Sequence, residues 1–244
     1  MRPAARSRFC PTPSPREPLE NSFNWRYQLG KFWRSTARPI GAGGVSGRWL
    51  KRPVAVLDRW LRRRQGVFEY SSMRECLFRA QRTEAGCHFC LKDGRNIRPG
   101  APILTLHFWN DHIPVIGGEG PTIGWAQRFR EALDLSLAEL ARFLRERPDF
   151  DAIVAIRIEM GIGDAAANER SVRFLGRFGF ERAPPADCRP ARYLRRLGDN
   201  AMTLLLILAF NPNAAHGSIL RRERAVVYLA RATLDRSYPA RRDP

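Results

Sequence analysis

Alternation is sharpest over residues 102–109. Ile103, Thr105 and His107 fall on one side, and Leu104, Leu106 and Phe108 on the other. This predicts a strand with at least one face in the core. Residues 125–147 change period: Leu133, Leu137, Leu140 and Leu144 recur at helical spacing against Arg128, Arg130, Asp134, Glu139, Arg142 and Glu146, and Pro148 stops the run. Residues 151–158, containing AIVAIRI, predict a largely buried strand. A short helix follows over 168–176, then a strand over 178–181 and a long helix over 191–209. The chain closes on a strand at 225–228 and a turn or helix over 231–238. Upstream, Val56, Leu57, Trp60 and Leu61 predict a helix opening at Pro53. Short β segments are expected over 67–70, 75–81 and 86–91, with a turn at Lys92-Asp93-Gly94-Arg95. Strands gather early and helices late, which predicts an α+β fold: a mixed sheet of short strands packed by two or three long helices.

Before this domain, residues 1–47 read as a flexible basic tail. Pro3, Pro11, Pro13, Pro15 and Pro18 break regular structure, and Gly41, Gly43, Gly44 and Gly47 follow. The single domain is expected to span 48–238, with 239–244 a frayed end. At 44% hydrophobic residues the chain has enough apolar material for a core. The formal charge of +18 is concentrated at the amino end: residues 1–52 hold eleven basic and two acidic side chains, and Arg59, Arg62, Arg63 and Arg64 stand against Asp58. Such an end suits an anionic membrane surface. Nucleic acid is the less favoured partner, because only the tail's charge argues for it. The amino terminus has no apolar signal core, and the longest apolar run, 201–210, is half a membrane span. A cytoplasmic protein, peripheral to the inner membrane, is the expectation. The basic residues Arg192, Arg195 and Arg196 ahead of that run suggest either a core helix with a solvated first turn, the simpler reading, or an interfacial helix.

Candidate chemistry is sparse. Cys87-His88-Phe89-Cys90 holds a CxxC, but no second pair exists, and residues three apart on a strand point to opposite faces. No metal is expected, and Cys87 and Cys90 read as buried free thiols. The cluster His107-Phe108-Trp109-Asn110-Asp111-His112 ends the clearest strand, where α/β proteins often place functional groups. A histidine there serves as acid, base or hydrogen-bonded core residue. Arg157 and Glu159, near the end of the second clear strand, would face the same cleft if the two strands are neighbours. His107, Asn110, Arg157 and Glu159 therefore form the candidate pocket. Gly117-Gly118-Glu119-Gly120 fits neither the P-loop nor the dinucleotide-binding pattern, and Glu119 opposes phosphate.

The stretch Asn168–Phe180, a helix after a buried strand that ends in Gly-Phe, resembles the late segment of GCN5-type N-acyltransferases. The order strand 102–109, helix 125–147, strand 152–158, helix 168–176 fits them too. The resemblance implies acetyl-CoA, with Gly118 and Gly120 at its pyrophosphate, Asn168 on its pantetheine arm, and His107 or Glu159 taking the amine proton. The Arg/Gln-x-x-Gly-x-Gly/Ala loop of that family is missing. Over a longer span, about 49–238, the chain resembles the YkoP-like family of bacterial proteins. The residues that carry this are Lys92-Asp93-Gly94, Arg98-Pro99-Gly100, Leu106-His107 with Asn110, the helix 128–144, Leu175, Phe178-Gly179-Phe180-Glu181, Val227-Tyr228-Leu229, Thr233-Leu234 and Tyr238. That resemblance implies a non-catalytic accessory domain in cell-envelope polysaccharide modification, without cofactor, partnered with an envelope glycan enzyme such as a polysaccharide deacetylase. It supplies no catalytic residues. The accessory domain is the first expectation and the acyltransferase the alternative.

Overall fold

The computed structural model describes residues 48–109, 111–115, 122–160, 165–182, 190–210 and 224–240. The expected tail 1–47 lies outside them, as do Asn110, Gly118, Gly120 and 241–244. The elements are α1 (Arg48–Gln65), β1 (Val67–Phe68), β2 (Phe78–Glu84), β3 (Phe89–Cys90), β4 (Asn96–Ile97), β5 (Pro102–Phe108), α2 (Ile123–Arg145), β6 (Ala155–Met160), α3 (Ala165–Gly176), β7 (Glu181–Arg182), α4 (Pro190–Phe210), β8 (Ala225–Ala230) and α5 (Arg231–Ser237). Six strands form one sheet in the order β1-β2-β5-β6-β8-β7, and β3-β4 form a separate hairpin. The β5-β6 pair is parallel, while the other four pairs of the sheet are antiparallel. This is the expected α+β architecture with a mixed sheet and three long helices.

Pleating sorts the sheet's side chains into two faces. Phe78, Ala80, Leu104, Leu106, Ile156, Ile158, Val227 and Leu229 join the main core with Leu133, Leu137, Leu140 and Leu144 of α2, Phe174 and Leu175 of α3, and Leu234 of α5. Each buried leucine contributes about 1.5–3 kcal/mol through area removed from water. On the opposite face the β3-β4 hairpin covers one end, packing Phe89, Leu91 and Ile97 on Ile103, Ala155, Tyr228 and Ala230. The Phe89 and Tyr228 rings lie 4.1 Å apart. The Leu91–Arg95 turn closes the hairpin, with Gly94 at φ 84°.

Several boundaries differ from the sequence expectation. The first helix starts at Arg48, not Pro53; proline sits inside it and forgoes one backbone hydrogen bond. The strand expected over 75–81 runs from Phe78 to Glu84. The Cys76 amide is taken by a turn to Met73 O, and the Leu77 amide donates to Ser136 Oγ, so the β5 ladder begins only at Phe78. Strand β4 was not expected. The segment expected as a strand over 178–181 is mostly turn, because Gly179 has φ 88° and β7 begins at Glu181.

Ser136 is fully buried in α2 and joins three pieces of the fold. Its hydroxyl accepts from the Leu77 amide at 2.8 Å and donates to Ala132 O, and its carbonyl accepts from Tyr70 Oη at 3.1 Å. Ser136→Ala leaves the Leu77 amide buried and unpaired, an expected loss of about 1–3 kcal/mol in urea unfolding. At Gly179 an added Cβ would stand 2.9 Å from Thr233 Cγ2 and 3.1 Å from Leu229 Cδ1, on a backbone with positive φ. Gly179→Ala is expected to cost about 1–3 kcal/mol by the same measurement.

Candidate functional site

Beyond the hairpin, the second face of the sheet is polar. Register places Gln81, Thr105, Arg157, Tyr228 and Glu181 side by side across five strands, and Arg79 beside His107 one step along. Helices α1 and α4 pack together and bond to this face. Asp58 of α1 binds Arg79 at 3.2 Å, while Asn200 and Thr203 of α4 accept from Arg224 at 2.8 and 3.0 Å. Arg79 is buried, also meets Glu69 at 3.3 Å, and lies 4.0 Å from the Trp109 ring centroid.

Three of the four sequence-nominated pocket residues converge here. Arg157 Nη2 donates to Glu159 Oε2 at 2.6 Å, and Arg224 Nη1 stands 3.7 Å from Glu159 Oε1. Each oxygen of Glu159 thus faces a guanidinium, which commits this carboxylate to electrostatic balance. Arg157 Nε is buried without a hydrogen-bond partner among the described residues, a donor left over at the site. Asn110 lies outside the described residues, as do Gly118 and Gly120. Asn168 sits in the first turns of α3, and its side chain is not described. Sequence reading missed Arg224, Gln81, Asn200 and Thr203. Arg224 and Asn200 are far apart in sequence and belong to no motif, so only the fold brings them together.

A relay of hydrogen bonds sets the state of His107. Gln81 Nε2 donates to the Gln65 carbonyl at the end of α1 at 2.8 Å, which turns Gln81 Oε1 toward His107 Nε2 at 2.9 Å. A carbonyl oxygen only accepts, so Nε2 carries the proton and Nδ1 keeps its lone pair. Burial holds the imidazole below its ordinary pKa; Glu159 opposes this, and Arg157 and Arg224 reinforce it. The result is a neutral histidine with an available basic nitrogen. His112, in the same sequence cluster, is placed differently: Nδ1 donates to Cys76 O at 2.9 Å and its ring stacks on Trp109. That histidine has a structural role.

The pairing of β5 with β6 stops short of the ends of both strands. Strands β5 and β6 pair from Ile103–Ala155 to Leu106–Ile158, yet they continue to Phe108 and Met160. Over those last two residues β5 remains paired with β2 and β6 with β8. The β5-β6 pairing therefore ends before the strands do, while each stays bonded to its outer neighbour. The loop that leaves β5 returns at Thr122, whose side chain caps α2 by accepting from the Trp125 amide.

The expectation of buried free thiols at Cys87 and Cys90 is not met, whereas Cys76 is buried and free. Cys87 is free but only half-buried, and Cys90 is exposed and disulfide-bonded. Cys87, outside β3, packs against the second core cluster, while Cys90 on β3 is exposed. Among the described residues no group of three or more His, Cys, Asp and Glu side chains could hold a metal ion, and no helix is long and apolar enough to cross a membrane. A separate concavity of about 590 Å³, lined by Arg130, Asp134, Phe174, Arg177, Phe178 and Tyr238, involves none of the nominated residues.

The state of His107 sets a pH dependence. Its pKa is lower folded than unfolded, so the unfolded chain binds the extra proton first as pH falls. Its contribution to stability is complete above about pH 6.5 and is lost as pH falls below that value toward the folded pKa. The urea midpoint of the native protein is expected to drop more between pH 7 and pH 5 than that of His107→Asn. Parallel curves would place the titrating group elsewhere.

Comparison with family models, with curated proteins and with solved structures returned no match to this chain.

Proposed function

We propose that this domain binds an acyl-coenzyme A where the pairing of β5 with β6 ends and transfers its acyl group to an amine, with His107 as the general base. One observation supports this reading: the parallel pairing of β5 with β6 ends at Leu106–Ile158, at the carboxyl ends of the strands and beside a neutral, oriented histidine. In this reading the backbone beyond the last β5-β6 pair is free to meet a ligand. An extended, amide-bearing arm such as pantetheine pairs with it as an added strand would. The position also obeys the general rule for such sheets, in which ligands bind beyond the carboxyl ends of the strands. Strand order supports the resemblance to GCN5-type acyltransferases seen in the sequence, since α2 and α3 follow the two strands of the parallel pair in turn.

In this reading the amine nitrogen bonds to the thioester carbonyl carbon and passes its proton to Nδ1 of His107. The carbon–sulfur bond then breaks, and the thiol departs with a proton returned from the imidazolium. Arg157 and Arg224 hold Glu159 and keep the surrounding field positive, which favours the unprotonated imidazole before attack. Of the two bases nominated from sequence, His107 is therefore preferred over Glu159, whose oxygens are engaged by guanidinium groups.

The accessory, non-catalytic reading that follows from the YkoP-like resemblance is favoured by one feature: Gly117-Gly118-Glu119-Gly120 lacks a pyrophosphate-binding pattern and carries a carboxylate. A single titration separates the two. Acetyl-CoA added to the full chain at a hundred times its dissociation constant contributes about 2.7 kcal/mol, a rise in Tm of roughly 5–10 °C. Saturable stabilisation supports the acyltransferase reading. Its absence up to millimolar ligand overturns it and leaves a partner-binding module. Given binding, His107→Gln is expected to retain the shift while kcat falls by about 10²–10⁴-fold.

A further inference from the structure

Helix α1 carries an outer face with exposed apolar residues. Val54 is buried and Asp58 is turned inward to Arg79, whereas Val56, Leu57 and Trp60 on the other side are 65%, 39% and 53% exposed. Residues 53, 56, 57 and 60 share one stripe at helical spacing. Exposed Arg52, Arg59 and Arg63 run along one margin of this stripe. Exposed Arg64 continues the line of the stripe one turn beyond Trp60, its guanidinium 5.4 Å from the Trp60 ring centroid. No described carboxylate pairs with Arg52, Arg59 or Arg63. The helix holds seven basic side chains and one acidic, and that acid is spent on the buried Arg79.

The neighbouring helix extends this apolar surface. The second half of α4, Ala201 to Phe210, bears no charge, and within it only Ala209 is buried, with Leu205 38% exposed. A helix that served only the core would bury most of such a run. Here it is partly open and lies against α1.

From this arrangement we infer that the α1 face is a docking surface for an anionic lipid bilayer, with Val56, Leu57 and Trp60 entering the interface and the flanking arginines resting on headgroups. Charge complementarity selects this occupant. An apolar stripe with an aromatic ring, flanked by arginines along one side and ended by Arg64, matches an interface that is apolar inside and negative at its surface. Two copies of this face would set like charges against each other, which opposes self-association. Nucleic acid answers the arginines but not the stripe, because phosphate contacts require no exposed valine or leucine.

The test uses the full chain with vesicles of phosphatidylcholine alone and of phosphatidylcholine with phosphatidylglycerol, read by co-sedimentation. Native protein is expected to partition onto the anionic vesicles and to ignore the zwitterionic ones. Because residues 1–47 are themselves basic, the decisive arm is V56S/W60S, which alters no charge. This variant is expected to lower the partition coefficient roughly tenfold or more, and R59E/R63E by a similar factor. Brominated lipid should quench Trp fluorescence in the native protein and less in Trp60→Phe. All four positions are exposed, so unchanged thermal midpoints verify that the variants fold. Failure to partition onto anionic vesicles overturns the inference. So does unchanged partitioning of V56S/W60S, which assigns attraction to charge alone, or a self-association abolished by V56S/W60S, which assigns the face to a second copy. Retention of duplex DNA that responds to R59E/R63E but not to V56S/W60S, with no vesicle binding, makes it a polyanion surface.

Discussion

The parallel pairing of β5 with β6 is the constraint on which the rest of this structure depends. Parallel neighbours cannot be joined by a hairpin, so the chain must leave the end of β5, cross one face of the sheet and return. Helix α2 is that crossing, and its leucines meet the apolar side of every central strand. Once it occupies one face, the alternation of side chains sends His107, Arg157 and Glu159 to the other. Core and candidate site are two consequences of one register. A slip of one residue in β5 would bury His107 under α2 and expose Leu106.

The polar face is stabilised as a network. Arg79 draws on Asp58, Glu69 and the Trp109 ring, and Glu159 balances Arg157 and Arg224, while Asn200 and Thr203 take the remaining donors of Arg224. The buried charge of Arg79 is costly unless it has partners, and pairs of this kind contribute position more than net stability. The position they secure is that of α1 and α4, whose inward residues supply the partners. Their outward residues are then left for a different solvent, which links the site beneath the two helices to the surface above them.

Much of the architecture was legible in the chain. The alternation at 102–109 and the leucine period at 125–147 located β5 and α2 to within two residues at each end, because each pattern spans enough residues to outweigh local propensity. The convergence of His107, Arg157 and Glu159 followed once those strands were assumed to be neighbours. Short strands were harder to place. Strand β2 lies three residues beyond its expected start because a side chain of α2, 59 residues away, claims the Leu77 amide. Burial of α4 was also misjudged. An uncharged run of ten residues suggests a core helix, and only the position of its neighbours shows that it is mostly half-buried, with Leu205 exposed.

Sequence by itself determined the class of fold, the residues of the main core and the concentration of positive charge near the amino end, since these are additive properties of composition and period. Tertiary structure alone decided the tautomer of His107, the pairing of Glu159 with two arginines and the side of α1 that remains bare. Each of these depends on groups brought close from distant segments: Gln65 and Gln81 for His107, Arg224 for Glu159, and Arg79 for Asp58. A hydrogen bond or an ion pair acts over a few ångströms, and which atoms lie that close is decided by strand register and helix packing.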